Sequence, residues 1–373
     1  MFILKIIEII TNAGVALGFF FGMILIKRQD KHRHANIFLA ALLIVLSISI
    51  LHSLIATTVF ESPIKIREPF ILLIGPLLTF YTYELTGFRR IRWIDCLHFL
   101  PFVVLIASHL PMWTHYPSSY EVIIRTNDIY ISKVVWALIV LQFGFYWWKI
   151  VSALDKFKFL LESEFSNIEG KTHSWIKFFL HVFGVFLFVL VLSVIIAFHT
   201  EWYHIIDTIV CFGLSCSIFA LGHNGLFQGQ VFISGPSLNE ENQPEMPAEK
   251  TPVKKDGLSA ANEALVKKLE THIETSKPYL KESLTLTDLA DQIGVTRNQL
   301  SYLINGALGE NFYSFINKYR VEEVKRLIAD PKNYNFTILS LAYEAGFPSK
   351  SSFHTIFKKF TGLTPAEYRN NLQ

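Results

Sequence analysis

Two hydrophobic rhythms divide this chain: long unbroken apolar runs first, then short runs at helical spacing. The unbroken runs cover about 3–26, 35–59, 69–86, 93–112, 131–151, 174–198 and 203–223. A helix rising about 1.5 Å per residue crosses about 30 Å of hydrocarbon in such a length, so the pattern predicts seven membrane-spanning helices. Gly75-Pro76 in the third run predicts a kink that leaves the carbonyl of Ile71, or a neighbour, in need of another partner. Continuous oiliness stops after 236. Residues 234–257 are rich in Pro, Glu, Asn and Lys and hold no aromatic. Such a segment buries too little surface to offset its ordering entropy and reads as a flexible tether. From 258, Leu258, Ala261, Leu265, Leu269 and Ile273 recur at spacings of three and four, predicting an amphipathic helix that Pro278 ends.

Two turn-helix patterns follow, TLTDLADQIGVTRNQLSYLI and FTILSLAYEAGFPSKSSFHTIF, both within 285–365. In the first, Thr285 or Thr287 caps a helix with Asp288 in its opening turn, and Leu289, Ala290 and Ile293 form its inner face. Gly294 turns, Val295 plugs the turn, and Thr296 caps a second helix packed through Leu300, Leu303 and Ile304. Arg297, Asn298, Ser301 and Tyr302 are left facing outward. A longer amphipathic helix over about 311–329 carries Phe312, Phe315, Ile316, Tyr319, Val324, Leu327 and Ile328 on one side, and Asp330-Pro331 stops it. The pattern then recurs. Ile338, Leu341 and Ala342 pack, Gly346-Phe347 turns, and Ser349 caps a helix buried through Phe353 and Phe357. Its outer side shows Lys350, Ser351, His354, Thr355 and Lys358.

Composition agrees with this division. Of 373 residues, 51% are hydrophobic and 17% charged, with 33 Phe. A soluble chain carries about 25% charge, so part of this one avoids water. Residues 277–373 hold 12 Lys/Arg against 9 Asp/Glu, which accounts for the net charge of +3. Loop charge orients the spans. Lys27, Arg28, Lys31, Arg33, Arg89, Arg90, Arg92, Lys149, Lys156, Lys158 and Lys171 fall on one side, Lys65, Arg67, Arg125 and Lys133 on the other. Positive loops stay in the cytoplasm, so the N-terminus is expected outside and the C-terminus inside. The first run opens without a basic leader and without a small-residue cleavage site after it, and is expected to be a retained helix.

Chemistry inside the spans is sparse. Cys96, Cys211 and Cys216 sit in apolar runs and read as small core residues without disulfides. Trp93, Trp113, Trp136, Trp147, Trp148, Trp175 and Trp202 fall near span ends, as interfacial anchors do. Glu84 and Asp95 lie beside Arg89, Arg90 and Arg92, which favours ion pairing. Glu8, His98 and Asp207 are further ionisable candidates, while His52 and His181 are expected to hydrogen-bond across helices. His199, Glu201 and His204 near one outer turn, with His109 and His115 on another loop, fit no tight metal template. The outer loop 113–130, with Tyr116, Tyr120, Glu121, Arg125 and Asp128, offers an alternative ligand-contact surface. No phosphate-binding glycine loop, G-x-S-x-G or H-E-x-x-H is present, so no catalytic residue, metal or cofactor is expected.

The stretch from about 278 to 369 resembles the DNA-binding domain of AraC-type (AraC/XylS) transcription regulators. It carries F-x-x-F-I-x-x-x-R at Phe312, Phe315, Ile316 and Arg320, then I-x-x-L-A-x-x-x-G-F, F-x-x-x-F-K-K, and G-x-T-P-x-x-Y-R at Gly362, Thr364, Pro365, Tyr368 and Arg369. Val324 and Phe315 stand where the family usually has Ala and Tyr; both keep apolar volume. A seven-span segment tethered to such a domain is similar to membrane-bound AraC-type regulators of Gram-negative bacteria, and the stretch Glu164-Phe165-Ser166-Asn167-Ile168-Glu169 before Ser174-Trp175 also looks like theirs.

The resemblance implies seven helices, the central one holding two reading helices about one DNA turn apart, in successive major grooves. It implies that Asn298, Ser301 and Tyr302 face bases in one groove and Lys350, Ser351, His354 and Thr355 in the next. Asn298 suits adenine, and Lys350 suits guanine or a phosphate. Arg297, Lys358 and Lys359, with the helix starts at Thr296 and Ser349, suit phosphates.

The expected architecture is therefore all-α: a polytopic seven-helix membrane bundle over 1–227, a flexible cytoplasmic linker over 228–257, and a seven-helix double helix-turn-helix domain over 258–373. The expected function is a transcription regulator held in the inner membrane, with promoter DNA and membrane lipid as partners. A second copy of the chain and RNA polymerase are further candidate partners, and the signal is left open. Two other classes stay open: a membrane receptor or transporter with a protein-binding adaptor, and an enzyme embedded in the spans.

Overall fold

The computed structural model describes residues 2–29, 32–58, 67–89, 91–114, 120–169, 203–227 and 260–372, together with 176, 177, 180, 181, 184 and 188. Among these residues every regular element is helical, as the sequence predicts. An isolated antiparallel bridge joins Phe165 and Thr285. The chain forms two compact units. One comprises Met1–Lys156, His173–Gln230 and Gly235–Asn242; the other comprises Phe157–Thr172, Val231–Ser234 and Gln243–Gln373.

The first unit contains α1 (Phe2–Lys27), α2 (Arg33–Thr58), α3 (Arg67–Thr86), α4 (Leu100–Thr114), most of α5 (Tyr120–Glu164) and α6 (Tyr203–Phe227). Among the described residues four stretches are long and apolar enough to cross a membrane: Ile6–Lys27, Arg33–His52, Ala137–Glu164 and Thr208–Phe227. Phe70–Thr86 and Trp93–Ala107 are shorter apolar helices. Of the sixth expected span, 174–198, the structure describes 176, 177, 180, 181, 184 and 188, and the linker, 228–257, lies outside the described residues. The fourth expected span opens as a 3₁₀ helix, Trp93–Phe99, before α4 begins.

Small residues bring the helices together. A Cβ at Gly14 would meet Ser215, and one at Gly18 would meet Ser47, so α1 lies close against α6 and α2. Two buried hydroxyls in this unit return to their own helix: Ser47 Oγ donates to Leu43 O at 2.9 Å and Thr82 Oγ1 to Leu78 O at 2.8 Å. The kink residue also finds its complement. Pro76 has no N–H to offer the carbonyl four residues back, and Gln142 Nε2 donates to that Leu72 oxygen at 2.9 Å.

Several expectations change here. The outer loop expected at 113–130 is helical from 120, because α5 runs unbroken for 45 residues, about 68 Å. Its sequence has neither Gly nor Pro between 120 and 143, and Glu121 precedes Arg125 at the spacing that supports a helix. The charges there mark the end of an oily stretch and not the end of a helix. Of the three cysteines only Cys211 is buried; Cys96 and Cys216 are exposed. Trp147 packs among Phe143 and His181, and Trp93 and Trp148 stand out at 85% and 64% exposure. His181 Nδ1 bonds the Lys177 carbonyl of its own helix at 2.6 Å, not another helix. Asp95 pairs with Arg89, as the local charge pattern suggests. The side chains of the outer histidines 109, 115, 199 and 204, and Glu201, lie outside the described residues. Among described residues no cluster of His, Cys, Asp and Glu could hold a metal.

The second unit contains seven α-helices after residue 260. They are α7 (Ala260–Ser276), α8 (Leu286–Ile293), α9 (Arg297–Tyr302), α10 (Phe312–Ala329), α11 (Ile338–Glu344), α12 (Lys350–Thr361) and α13 (Pro365–Asn370). Two hydrophobic cores flank α10. Leu269, Ile273, Leu289, Leu300, Leu303 and Ile304 surround Phe312, Phe315 and Ile316 on one side. Ala342, Phe347, Phe353 and Phe357 surround Val321 and Val324 on the other. One helix thus supplies both cores from successive stretches of its length.

Candidate nucleic-acid interface

Each reading helix starts at a hydroxyl cap, because a short polar side chain can take the amide hydrogens that a first turn leaves unpaired. Thr285, rather than Thr287, caps α8: its side chain accepts from the Asp288 amide at 3.0 Å, and Asp288 accepts from the Thr285 amide in return. Thr296 and Gln299 form the same box at α9. Thr337 caps α11 and Ser349 caps α12. The turn glycines, Gly294 and Gly346, have φ of +69° and +87°, where a side chain would be strained.

The two reading helices differ in length and charge. α9 has six residues and passes into a π turn, Leu303–Ala307, while α12 has twelve. On α9, Asn298 and Tyr302 are exposed, Ser301 is half-buried and accepts from Asn305 Nδ2 at 3.2 Å. On α12, Lys350, Ser351, His354, Thr355, Lys358 and Lys359 are exposed while Phe353, Ile356 and Phe357 point inward. The outward and inward faces thus fall where the periodicity puts them.

Three residues of the expected set are already engaged by glutamates. Arg297 is half-buried, and its Nε donates to Glu164 Oε2 at 2.7 Å. Ser349 and Ser351 both donate to Glu169, Ser351 at 2.6 Å. The stretch Glu164–Glu169 shares in the family resemblance, but no role for it follows from its residues alone. Its one available signal is three glutamates, 162, 164 and 169, within an otherwise basic loop.

Behind the reading helices, Arg320 of α10 is fully buried and ties loops together. Its Nε donates to Tyr279 O at 2.8 Å and one terminal nitrogen to Lys281 O at 2.8 Å. The other terminal nitrogen reaches Ser166 O at 3.2 Å. Burial pulls its pKa down to about 10, which leaves it charged at neutral pH. Glu323, three residues on, accepts from Arg326 and from Lys277, and those bonds hold its carboxyl below the ordinary range. The terminal motif is structural too. Gly362 ends α12 at φ +76°, Thr364 caps α13, Pro365 is buried, Tyr368 packs edge-on to Phe357, and Arg369 donates twice to Phe336 O at 3.0 Å.

Two capped turn-helix pairs on one connecting helix define the class: a double helix-turn-helix module. The comparisons agree, since a helix-turn-helix domain family matches residues 289–371. A putatively AraC-like transcription regulator of Streptomyces lividans is 29% identical over 89 residues, 24% of this chain and 28% of its own length. The melibiose operon regulatory protein of Escherichia coli K12 is 28% identical over 88 residues, again 24% of this chain and 28% of its own. An uncharacterised helix-turn-helix transcriptional regulator of Staphylococcus aureus strain COL is 34% identical over 93 residues, 25% of this chain. This chain spans only 12% of that relative's length. The C-terminal region is therefore an AraC-type helix-turn-helix domain.

Proposed function

We propose that the chain is a one-component transcription regulator of the inner membrane, binding specific promoter DNA from the cytoplasmic side. The observation that carries the reading is the union, in one chain, of an AraC-type domain with four helices long and apolar enough to span a bilayer. The bias of positive loops supports a cytoplasmic C-terminus. The joint unit of Phe157–Thr172 with Gln243–Gln373 supports it as well, because the loop after the fifth span and the C-terminus share a side in a seven-span topology.

In this reading Asn298, Ser301 and Tyr302 meet bases in one major groove and Lys350, Ser351, His354 and Thr355 in the next. Arg297, Lys358 and the helix start at Ser349 meet phosphates, with Thr296 fixing the start of α9. The seven-span domain anchors the regulator and receives its signal. The test is selection of bound sequences from a genomic fragment library by the full chain in lipid nanodiscs. A Lys350→Ala/His354→Ala variant runs beside it, at two salt concentrations. The expected outcome is an enriched motif that the variant loses, because phosphate contacts give salt dependence without sequence preference. Binding with no enriched motif would count against the reading, as would recovery of the chain in the soluble fraction.

A further inference from the structure

The second unit includes one segment from far upstream, the end of α5 and the residues after it. Its middle is fixed. Ser166 is buried, its amide donates to Leu284 O at 3.2 Å and its hydroxyl to the same oxygen at 2.7 Å. Its carbonyl accepts from Asn317 Nδ2 at 3.1 Å and from Arg320. From that anchor two carboxylates reach in opposite chain directions. Glu164 takes Arg297 Nε at 2.7 Å and Thr287 Oγ1 at 3.0 Å, next to the first reading helix. Glu169 takes Ser351 Oγ at 2.6 Å and the Ser349 hydroxyl, at the start of the second. Glu162 adds a contact with Asn311 Nδ2 at 3.0 Å, at the cap of α10.

We propose that residues 162–169 form an autoinhibitory strap, in which Glu164 and Glu169 occupy DNA-contacting groups of both reading helices, Arg297 and Ser349 that meet phosphates and Ser351 that faces a base, and must leave before DNA binds. The proposal deepens the DNA-binding reading and rests on it. A carboxylate presents two anionic oxygens to the same donors that a phosphate uses: an arginine, and hydroxyls at a helix start. The five-residue step from Glu164 to Glu169 engages both helices at once, so one segment masks both half-domains. Contacts of Glu169 lie at an exposed site, where ion pairs and hydrogen bonds add little to stability. The same contacts compete directly with a phosphate, since a closed fraction weakens apparent affinity in proportion. The strap is also the end of α5, whose apolar part is a candidate span, so a shift of that helix moves Glu162 and Glu164.

The test compares the full chain with a Glu164→Gln/Glu169→Gln variant, both in neutral phosphatidylcholine nanodiscs, binding a mixed-sequence DNA duplex. The variant is expected to bind at least about tenfold more tightly. Its log K should fall more steeply with log salt, by roughly one unit, as Arg297 becomes available to a phosphate. In the unmodified protein, the duplex should lower hydrogen-exchange protection within 162–169 on either side of the Ser166 anchor. Equal or weaker binding by the variant, or full protection of 162–169 with DNA bound, overturns the strap and leaves the DNA-binding reading standing. Binding by neither protein at low salt sinks both.

Discussion

The two helix-turn-helix halves share a plan and differ in how each is held. In the first half the turn glycine, Gly294, has open space around it: a Cβ there would meet only Lys268 Nζ, at 4.0 Å. In the second, a Cβ at Gly346 would lie 2.5 Å from Tyr279 O and 2.8 Å from Leu280 O. The second turn is thus wedged onto backbone that precedes the first half, and Arg320 binds the same Tyr279 oxygen. The cations differ as well. Arg297 of the first reading helix is taken by Glu164, while Lys350 and Lys358 of the second are exposed. The comparison teaches that a repeated local pattern does not fix a repeated environment. One half is locally built and charge-neutralised, the other is docked and charged.

The largest expected effect comes from breaking the link between the halves. Arg320→Met would take a donor from the buried carbonyls of Tyr279 and Ser166, and should cost about 3–5 kcal/mol. Hydrogen exchange on the full chain should show both halves losing protection together. If only one half loosens, the halves are not coupled through Arg320.

Next, Gly346→Ala should cost at least about 3 kcal/mol, because strain at positive φ adds to a collision with backbone. Gly294→Ala should cost only about 1 kcal/mol, the strain alone. Equal costs in the same exchange measurement would erase the distinction between a docked turn and a free one.

The charge difference sharpens in DNA affinity. Lys350→Ala should weaken duplex binding by about tenfold, and Arg297→Ala by clearly less, since Arg297 must first leave Glu164. Competition binding at one fixed salt concentration reads both. A larger loss at Arg297 would reverse the ranking.

The smallest effect is a pH dependence at Glu323. Hydrogen bonds from Arg326, and then from Lys277, hold its pKa down, so its stabilisation is present above the ordinary glutamate value of about 4.3. It is lost as pH falls through the lower folded value. Between about pH 5 and 3, exchange protection of α10 should fall more in the unmodified protein than in Glu323→Gln. Parallel profiles would remove Glu323 as the cause.

How much of this was legible depended on distance along the chain. The caps at Thr296 and Ser349, and Thr285 as one of two candidates, could be read because each acts on an amide three residues away. The buried faces through Leu300, Leu303 and Phe353, Phe357 followed from period alone. Periodicity also located the apolar helices, but loop charge was a poor guide to where α5 starts, since a helix continues beyond the oily stretch it carries. Arg320 was visible as a motif residue and silent about its task, because its backbone acceptors lie 38 to 154 residues away.

The sequence by itself determined that the chain is helical, that its N-terminal part is built of long apolar runs, and that its C-terminal part carries two turn-helix pairs with polar outer faces. Those properties rest on composition, period and capping, all of which act within a few residues. Only the tertiary structure decided that Gln142 completes the backbone at Pro76, that Gly346 abuts Tyr279, and that Glu164 and Glu169 lie on the reading helices. Each joins groups far apart in sequence, and such pairings are chosen by the packing of whole helices, to which a local pattern is blind.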